Sequence, residues 1–216
     1  MRFGRKRNEP DPESEAEQAL DAALSAIERG EVPDYSQGPY DLAVEAERNG
    51  FVHLPDHLDF ESILLPPTGG IPLFARHAEG ADSEIVSLVL DHEDGELELA
   101  VTSSGGTPGM WAEVRASILA EVHDQGGTGA ERQGPFGVEV YGHVPLTTED
   151  GEQTSWRARV VGFEGPDWFL RCLFQDALAD SPELARPYED LVRRVFVRGN
   201  PAVPAGEPMP LIPPAG

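Results

Sequence analysis

Metal and acid–base chemistry would be sought first among the six histidines. His53 and His57 stand four apart, the spacing that places two ligands on one helical face. Pro55 lies between them and disfavours a shared helix. No HExxH pattern accompanies them, so no metal site is expected. Asp91, Glu93 and Asp94 look like a fragment of a calcium loop, but the ligand spacing and distal glutamate are missing. They read as the polar tip of a hairpin. Gly126-Gly127-Thr128-Gly129 is glycine-rich, yet no P-loop lysine follows it and it lacks the GxGxxG order. There is no GxSxG elbow. The single cysteine, Cys172, falls in a strand expected to be buried, so it reads as a structural thiol and not a nucleophile. No catalytic residue, metal or cofactor is therefore assigned. A non-enzyme is the favoured reading, although catalytic groups can assemble from distant segments.

Three residues remain as binding candidates: Trp168, Arg171 and Arg198. Trp168 with Arg171 could form an aromatic platform and a cation for an anionic ligand. The competing reading is core packing, with Arg171 paired to an acidic neighbour, because an unpaired buried guanidinium is very costly. The same two readings apply to Arg198 with Gly199. For all three the weight falls on structure.

The elements that would position them follow from periodicity. Ser155–Phe163 alternates, with Trp156, Ala158 and Val160 on one face and Arg157 and Arg159 on the other. Pro166 and Asp167 suit the centre of a type I turn. Trp168, Leu170, Cys172 and Phe174 then share one face of a strand that is apolar on both sides, which places it centrally in a sheet. Further strands are expected at Ile71–His77, Glu84–Leu90, Glu96–Thr102 and Phe136–Val144. Val32–Asn49 reads as mostly extended or irregular. One helix should begin at Thr107-Pro108, with Thr107 as cap, and end at Gly126-Gly127. A second should start near Ser181-Pro182, kinked or delayed to about Arg186 by Pro187. Strands joined by hairpins with inserted helices predict an α+β fold, a largely antiparallel sheet with packed helices.

The chain has 216 residues and a net charge of −23. A field of that sign repels nucleic acid and anionic lipid. The basic cap Met1–Arg7 carries four charges, a weak lever on phosphate. The acidity is uneven: Asn8–Phe60 holds 14 acidic residues against two arginines, and Gln153–Asn200 holds seven of each. The neutral C-terminal part is thus the better contact surface. The expected organisation is a tail over residues 1–12, a helix and linker over 13–37, one domain over 38–200, and a proline-rich extended tail over 201–216. The single cysteine suits a reducing cytoplasm. No apolar run approaches a membrane span, and no apolar segment follows the N-terminal charges as a signal peptide would require.

Several stretches together carry a family resemblance. They are GPYD at Gly38–Asp41, GMWAEVRASI at Gly109–Ile118, GPFGVEV at Gly134–Val140, VVGFEGPDWFLR at Val160–Arg171, and RG at Arg198-Gly199 followed by PMPLIPP. The chain resembles DUF3710, an actinobacterial family of unknown function. Asp167 departs from the basic residue that the resemblance leads one to expect. The resemblance implies a soluble cytoplasmic protein and supplies no activity. The order of elements is also similar to the Mog1/PsbP-like α/β/α sandwich, whose members mainly bind or assemble. Fold analogy does not set function. The expectation is a non-enzymatic binding or assembly protein, using its neutral sheet face and proline tail against a protein partner. In that reading, removal of Gly199–Gly216 would leave stability nearly unchanged. The alternative is a small-molecule binder or enzyme with a cleft near Trp168 and Arg171.

Overall fold

The computed structural model describes residues 38–49, 54, 56–78, 84–93, 95–147, 150, 151 and 153–214. The chain divides into a unit over Met1–Pro33 and a unit over Asp34–Gly216, and everything below concerns the second. The expected basic cap and first helix, and His53 and Pro55, lie outside the described residues.

The chain opens with β1 (Tyr40–Asp41), α1 (Leu42–Asn49), β2 (Leu58–Asp59) and β3 (Ile63–Leu65). It continues with β4 (Leu73–His77), β5 (Ile85–His92), β6 (Gly95–Ser103) and α2 (Met110–Asp124). Then come β7 (Thr128–Gly134), β8 (Gly137–Thr147), β9 (Gln153–Glu164) and β10 (Trp168–Gln175). The last elements are α3 (Ala177–Asp180), α4 (Pro182–Val192) and β11 (Phe196–Val197). Seven strands form one antiparallel sheet in the order β4-β5-β6-β10-β9-β8-β7, and a small mixed sheet runs β1-β11-β3-β2. The fold is α+β, as the alternation of hairpins and helices implies.

Consecutive hairpins build each half of the large sheet, and β10 joins them by pairing with both β6 and β9. It is the fourth strand of seven, the central position that its doubly apolar sequence demands. One face of β10 presents Trp168, Leu170, Cys172 and Phe174 to the main core. That core is closed by Tyr188 and Leu191 of α4, by Ile63 and Leu65 of β3, and by Leu178 of α3. The other face presents Phe169 to Trp111 of α2, with ring centroids 6.0 Å apart and nearly stacked. Gly162 of β9 lies beneath that pair. A Cβ there would overlap both rings, so only glycine lets the helix seat this closely.

Four expectations change. Val32–Asn49 is expected to be mostly extended or irregular, but its described part contains α1 behind the two-residue strand β1. Asp41 accepts from the Val44 backbone N–H (2.8 Å) and so starts that helix as a cap does. α2 begins at Met110, not at Thr107-Pro108, and its cap is remote in sequence. Glu164 accepts from the backbone N–H groups of Gly109 (2.8 Å) and Trp111 (2.5 Å). This satisfies two orphan donors and sets negative charge at the positive end of the helix dipole. α4 starts at once behind Ser181, whose hydroxyl accepts from Leu184 N–H (3.3 Å), and Pro187 sits inside it. Burial of Ala185, Tyr188, Leu191 and Val192 outweighs the one backbone bond that proline removes, a loss of about 3 kcal/mol. Thr128–Gly134, given no element beyond the glycine-rich Gly126–Gly129, forms the edge strand β7.

The proline-rich tail is docked. Met209 and Leu211 are buried in the main core. The backbone N–H of Met209 donates to Val101 O (3.0 Å), that of Ser103 to Glu207 O (2.9 Å), and that of Ile212 to Phe60 O (3.1 Å). The tail therefore belongs to the fold, and the expectation that its removal spares stability does not fit this packing. Met209→Ala should cost about 2–5 kcal/mol, and deletion of Gly199–Gly216 should lower the melting temperature sharply. Urea unfolding and thermal melts check both; an unchanged midpoint would contradict the docking.

Candidate functional site

Trp168 and Arg171 are three positions apart on one strand, so they point to opposite faces of the sheet. One ligand cannot lie against both. Trp168 is fully buried, and its Nε1–H donates to Asp41 Oδ2 (2.6 Å). Asp41 thereby links the central strand to the start of α1. Arg198 lies in the small-sheet layer. It forms a fork on Asp59 (3.2 and 2.9 Å) and donates to the Glu61 carbonyl. The Arg198 hydrogen bond holds the Asp59 carboxyl below the usual carboxylate range, against a smaller upward push from burial. Both residues thus have structural partners. Arg171 stands apart from them.

Arg171 lines a cavity of about 370 Å³ between the C-terminal half of α2 and the sheet. Val160, Leu173, Ile118 and Val122 form its apolar surface, Trp156 one wall, and Glu121 with Gln125 its helical rim. Arg171 is 42% exposed, and one terminal nitrogen donates to Glu98 Oε1 (3.2 Å). Glu98 is its single partner among the described residues, while the other Glu98 oxygen is held by Arg76 (2.5 Å). The Arg171 Nε–H is buried without an acceptor, an omission that costs about 1–3 kcal/mol. Each Glu98 oxygen therefore has an arginine partner, while most N–H groups of the Arg171 guanidinium have no protein acceptor among the described residues.

A continuous polar relay connects the two sides of this cavity. The Trp156 Nε1–H donates to Gln175 (2.5 Å), and Gln175 donates in turn to Glu96. Glu96 accepts from Arg76 (3.0 Å), which also donates to Glu98, and Glu98 receives Arg171. The relay spans β9, β10, β6 and β4. It fixes the aromatic wall and the cation in one frame, which is the preorganisation a binding site needs. Of the lining residues only Glu121 is an acid, and its carboxylate accepts from Gln125 (3.2 Å) on the exposed helix surface. The lining has the means to bind an amphipathic molecule and has no paired acid and base.

The other sequence candidates have structural settings. His57 Nε2 lies 3.3 Å from Arg194 O, with its ring edge-on to Phe196. Gly126 follows the end of α2 with φ +76°. Burial pushes the Cys172 thiol well above its ordinary pKa, which removes its nucleophilic form at neutral pH. Among the described residues no three His, Cys, Asp or Glu side chains are grouped to hold a metal. Among them, too, no helix is long and apolar enough to cross a membrane.

A buried ionic triad escaped the sequence reading. Arg159 pairs with Glu139 (2.6 Å) and Glu189 (2.7 Å), all three nearly or wholly inaccessible, and its guanidinium lies 4.6 Å from the Phe174 ring centroid. Burial alone would lower the Arg159 pKa; Glu139 and then Glu189 outweigh it and raise it. Burial, and then the Glu139 charge, raise Tyr141. A Cβ at Gly134 would overlap the Glu139 carboxylate. Alternation had already grouped Arg157 and Arg159 on one face, but it could not show that this face is the core face.

Fold and site together define an α+β domain with a preorganised, mainly apolar cavity and no assembled catalytic group lining it. The chain belongs to the family described as Protein of unknown function (DUF3710), whose model matches residues 38–216. That match spans every described element, including the docked tail. A comparison with curated proteins finds no match.

Arg159→Met should destabilise the protein by about 3–5 kcal/mol, because two buried carboxylates lose their counter-ion. The triple change Arg159→Met, Glu139→Leu, Glu189→Leu should recover most of that loss. Guanidinium unfolding of the two variants checks the pair; equal losses would assign the cost to packing and not to charge.

Proposed function

We propose that this chain is a non-enzymatic binding protein that holds a small molecule in the cavity between α2 and strands β9 and β10. The observation that carries this is Arg171, a half-exposed guanidinium whose one partner among the described residues is Glu98, on the wall of a largely apolar cavity. Apolar surface with few placed polar groups is the usual make-up of a ligand site, and about 370 Å³ lies within its usual size. The lack of a nucleophile or paired base in the lining supports binding over catalysis. The lone buried thiol supports a reducing cytoplasm as its location.

Assembly with a protein partner is the second reading. With Met209 and Leu211 buried, the tail is a poor carrier for it. The observation in its favour is Phe74, 55% exposed on the edge strand β4, where a partner could add a strand.

The neutral fluorophore N-phenyl-1-naphthylamine tests the cavity. It should bind the full chain with rising fluorescence. Binding should fall at least tenfold in each of two filling variants, Ile118→Trp from the helix and Leu173→Trp from the sheet, whose fold is checked by circular dichroism. Unaltered binding in both, or none to the parent protein, would overturn the cavity reading. Capture of a stoichiometric protein that Phe74→Ser abolishes and Leu173→Trp spares would move the function to the edge.

A further inference from the structure

We infer that the ligand of this cavity is a monoanionic, apolar carboxylic acid, seated with its carboxylate on Arg171 and its body against Trp156, Ile118 and Val122. The inference rests on the cavity being a ligand site, and it adds the chemical class.

Hydrogen-bond capacity gives the head group. A guanidinium has five N–H donors and no acceptor. Glu98 takes one from Arg171, and Nε–H has no partner. Glu98 takes none of the others: its second oxygen is turned to Arg76 at 2.5 Å, and no further Arg171 N–H reaches it. The buried Nε–H is out of a ligand's reach, but the terminal N–H groups on the exposed side of Arg171 outnumber the one acceptor that Glu98 supplies. A carboxylate is the acceptor whose planar geometry matches a guanidinium.

Charge limits that head group to one unit. The relay holds Arg76 and Arg171 against Glu96 and Glu98, two charges of each sign, and is neutral. Glu121 on the rim adds one negative charge, and the whole chain carries −23. A phosphate dianion would meet net repulsion at the mouth and from the body. A carboxylate meets half that repulsion and retains the Arg171 contact.

Volume and lining give the body. A cavity of about 150 Å³ accommodates benzene, so about 370 Å³ admits roughly two to three aromatic rings or a chain of similar bulk. Beyond Arg171, Glu121 and Gln125 the lining offers only apolar side chains and the Trp156 ring. That ring's N–H is already donated to Gln175. A second polar group on the body would lose its water without a replacement partner.

The experiment compares 2-naphthoate with 2-naphthamide, two probes of the same bulk, by isothermal titration against the full chain at low and moderate salt. The naphthoate should bind at least tenfold more tightly, as a charge-assisted bond requires. In Arg171→Gln the preference should shrink to within about twofold, while N-phenyl-1-naphthylamine still binds and shows that the cavity is intact. Arg171→Lys, which keeps the charge and loses the planar fork, should retain part of the preference. Equal affinity for acid and amide in the parent protein would overturn the carboxylate assignment, as would a full preference in Arg171→Gln. Failure of the neutral fluorophore with the parent protein would instead overturn the cavity reading beneath it.

Discussion

The guanidinium of Arg159 is the point on which the architecture depends. It sits on β9 and binds Glu139 from β8 and Glu189 from α4, so one cation ties two strands to the helix that closes the main core. Inside a protein such a group is tolerated only when its donors are met in good geometry. That requirement restrains α4 laterally on the sheet, which apolar packing alone would do loosely. Phe174 of β10 faces the same guanidinium, and the constraint thereby reaches the central strand. Gly134 leaves room for the Glu139 carboxylate, so part of a turn motif is explained by the space an anion needs.

The two faces of the large sheet are finished differently. One is sealed by α3, α4, the small sheet and the tail, and its cluster contains most of the large buried side chains. The other is covered by α2, which lies against β7, β8 and β9. At the margin of that helix the odd-numbered residues of β10 emerge, and Arg171 is among them. A sheet wider than the helix that covers it leaves a step, and the cavity lies along this step. The polar relay from Trp156 to Arg171 follows the same margin, where water or a ligand can reach side chains that full burial would have made apolar.

The stretches that carry the resemblance have physical tasks in this structure. GMWAEVRASI brings Trp111 to Phe169 over Gly162. The glutamate of VVGFEG caps the helix that begins within GMW. GPYD supplies the Asp41 that receives the Trp168 indole. PMPLIPP supplies Met209 and Leu211 to the core. Each joins segments distant in sequence, so its task is not visible in the local pattern. Arg171 was singled out for its type and place, and its exposure beside a cavity was not readable. Trp156, Glu98 and the relay were missed because partners on β4, β6, β9 and β10 are assigned by strand order, on which local pattern is silent.

Local pattern alone determined strands β4, β5, β6, β8, β9 and β10, the central place of β10, and the long helix and its end. These depend on side-chain periodicity and on backbone preferences of glycine and proline, which act over a few residues. Tertiary structure decided the rest. It turned the face bearing Arg159 inward, capped α2 with Glu164 from a distant strand, and carried α4 through Pro187. It also folded a proline-rich tail onto the core. In each case the deciding energy is burial or a hydrogen bond between segments far apart in the chain. Such contacts come into being only when register and layer order are set, and they outweigh local preferences of a few kcal/mol or less.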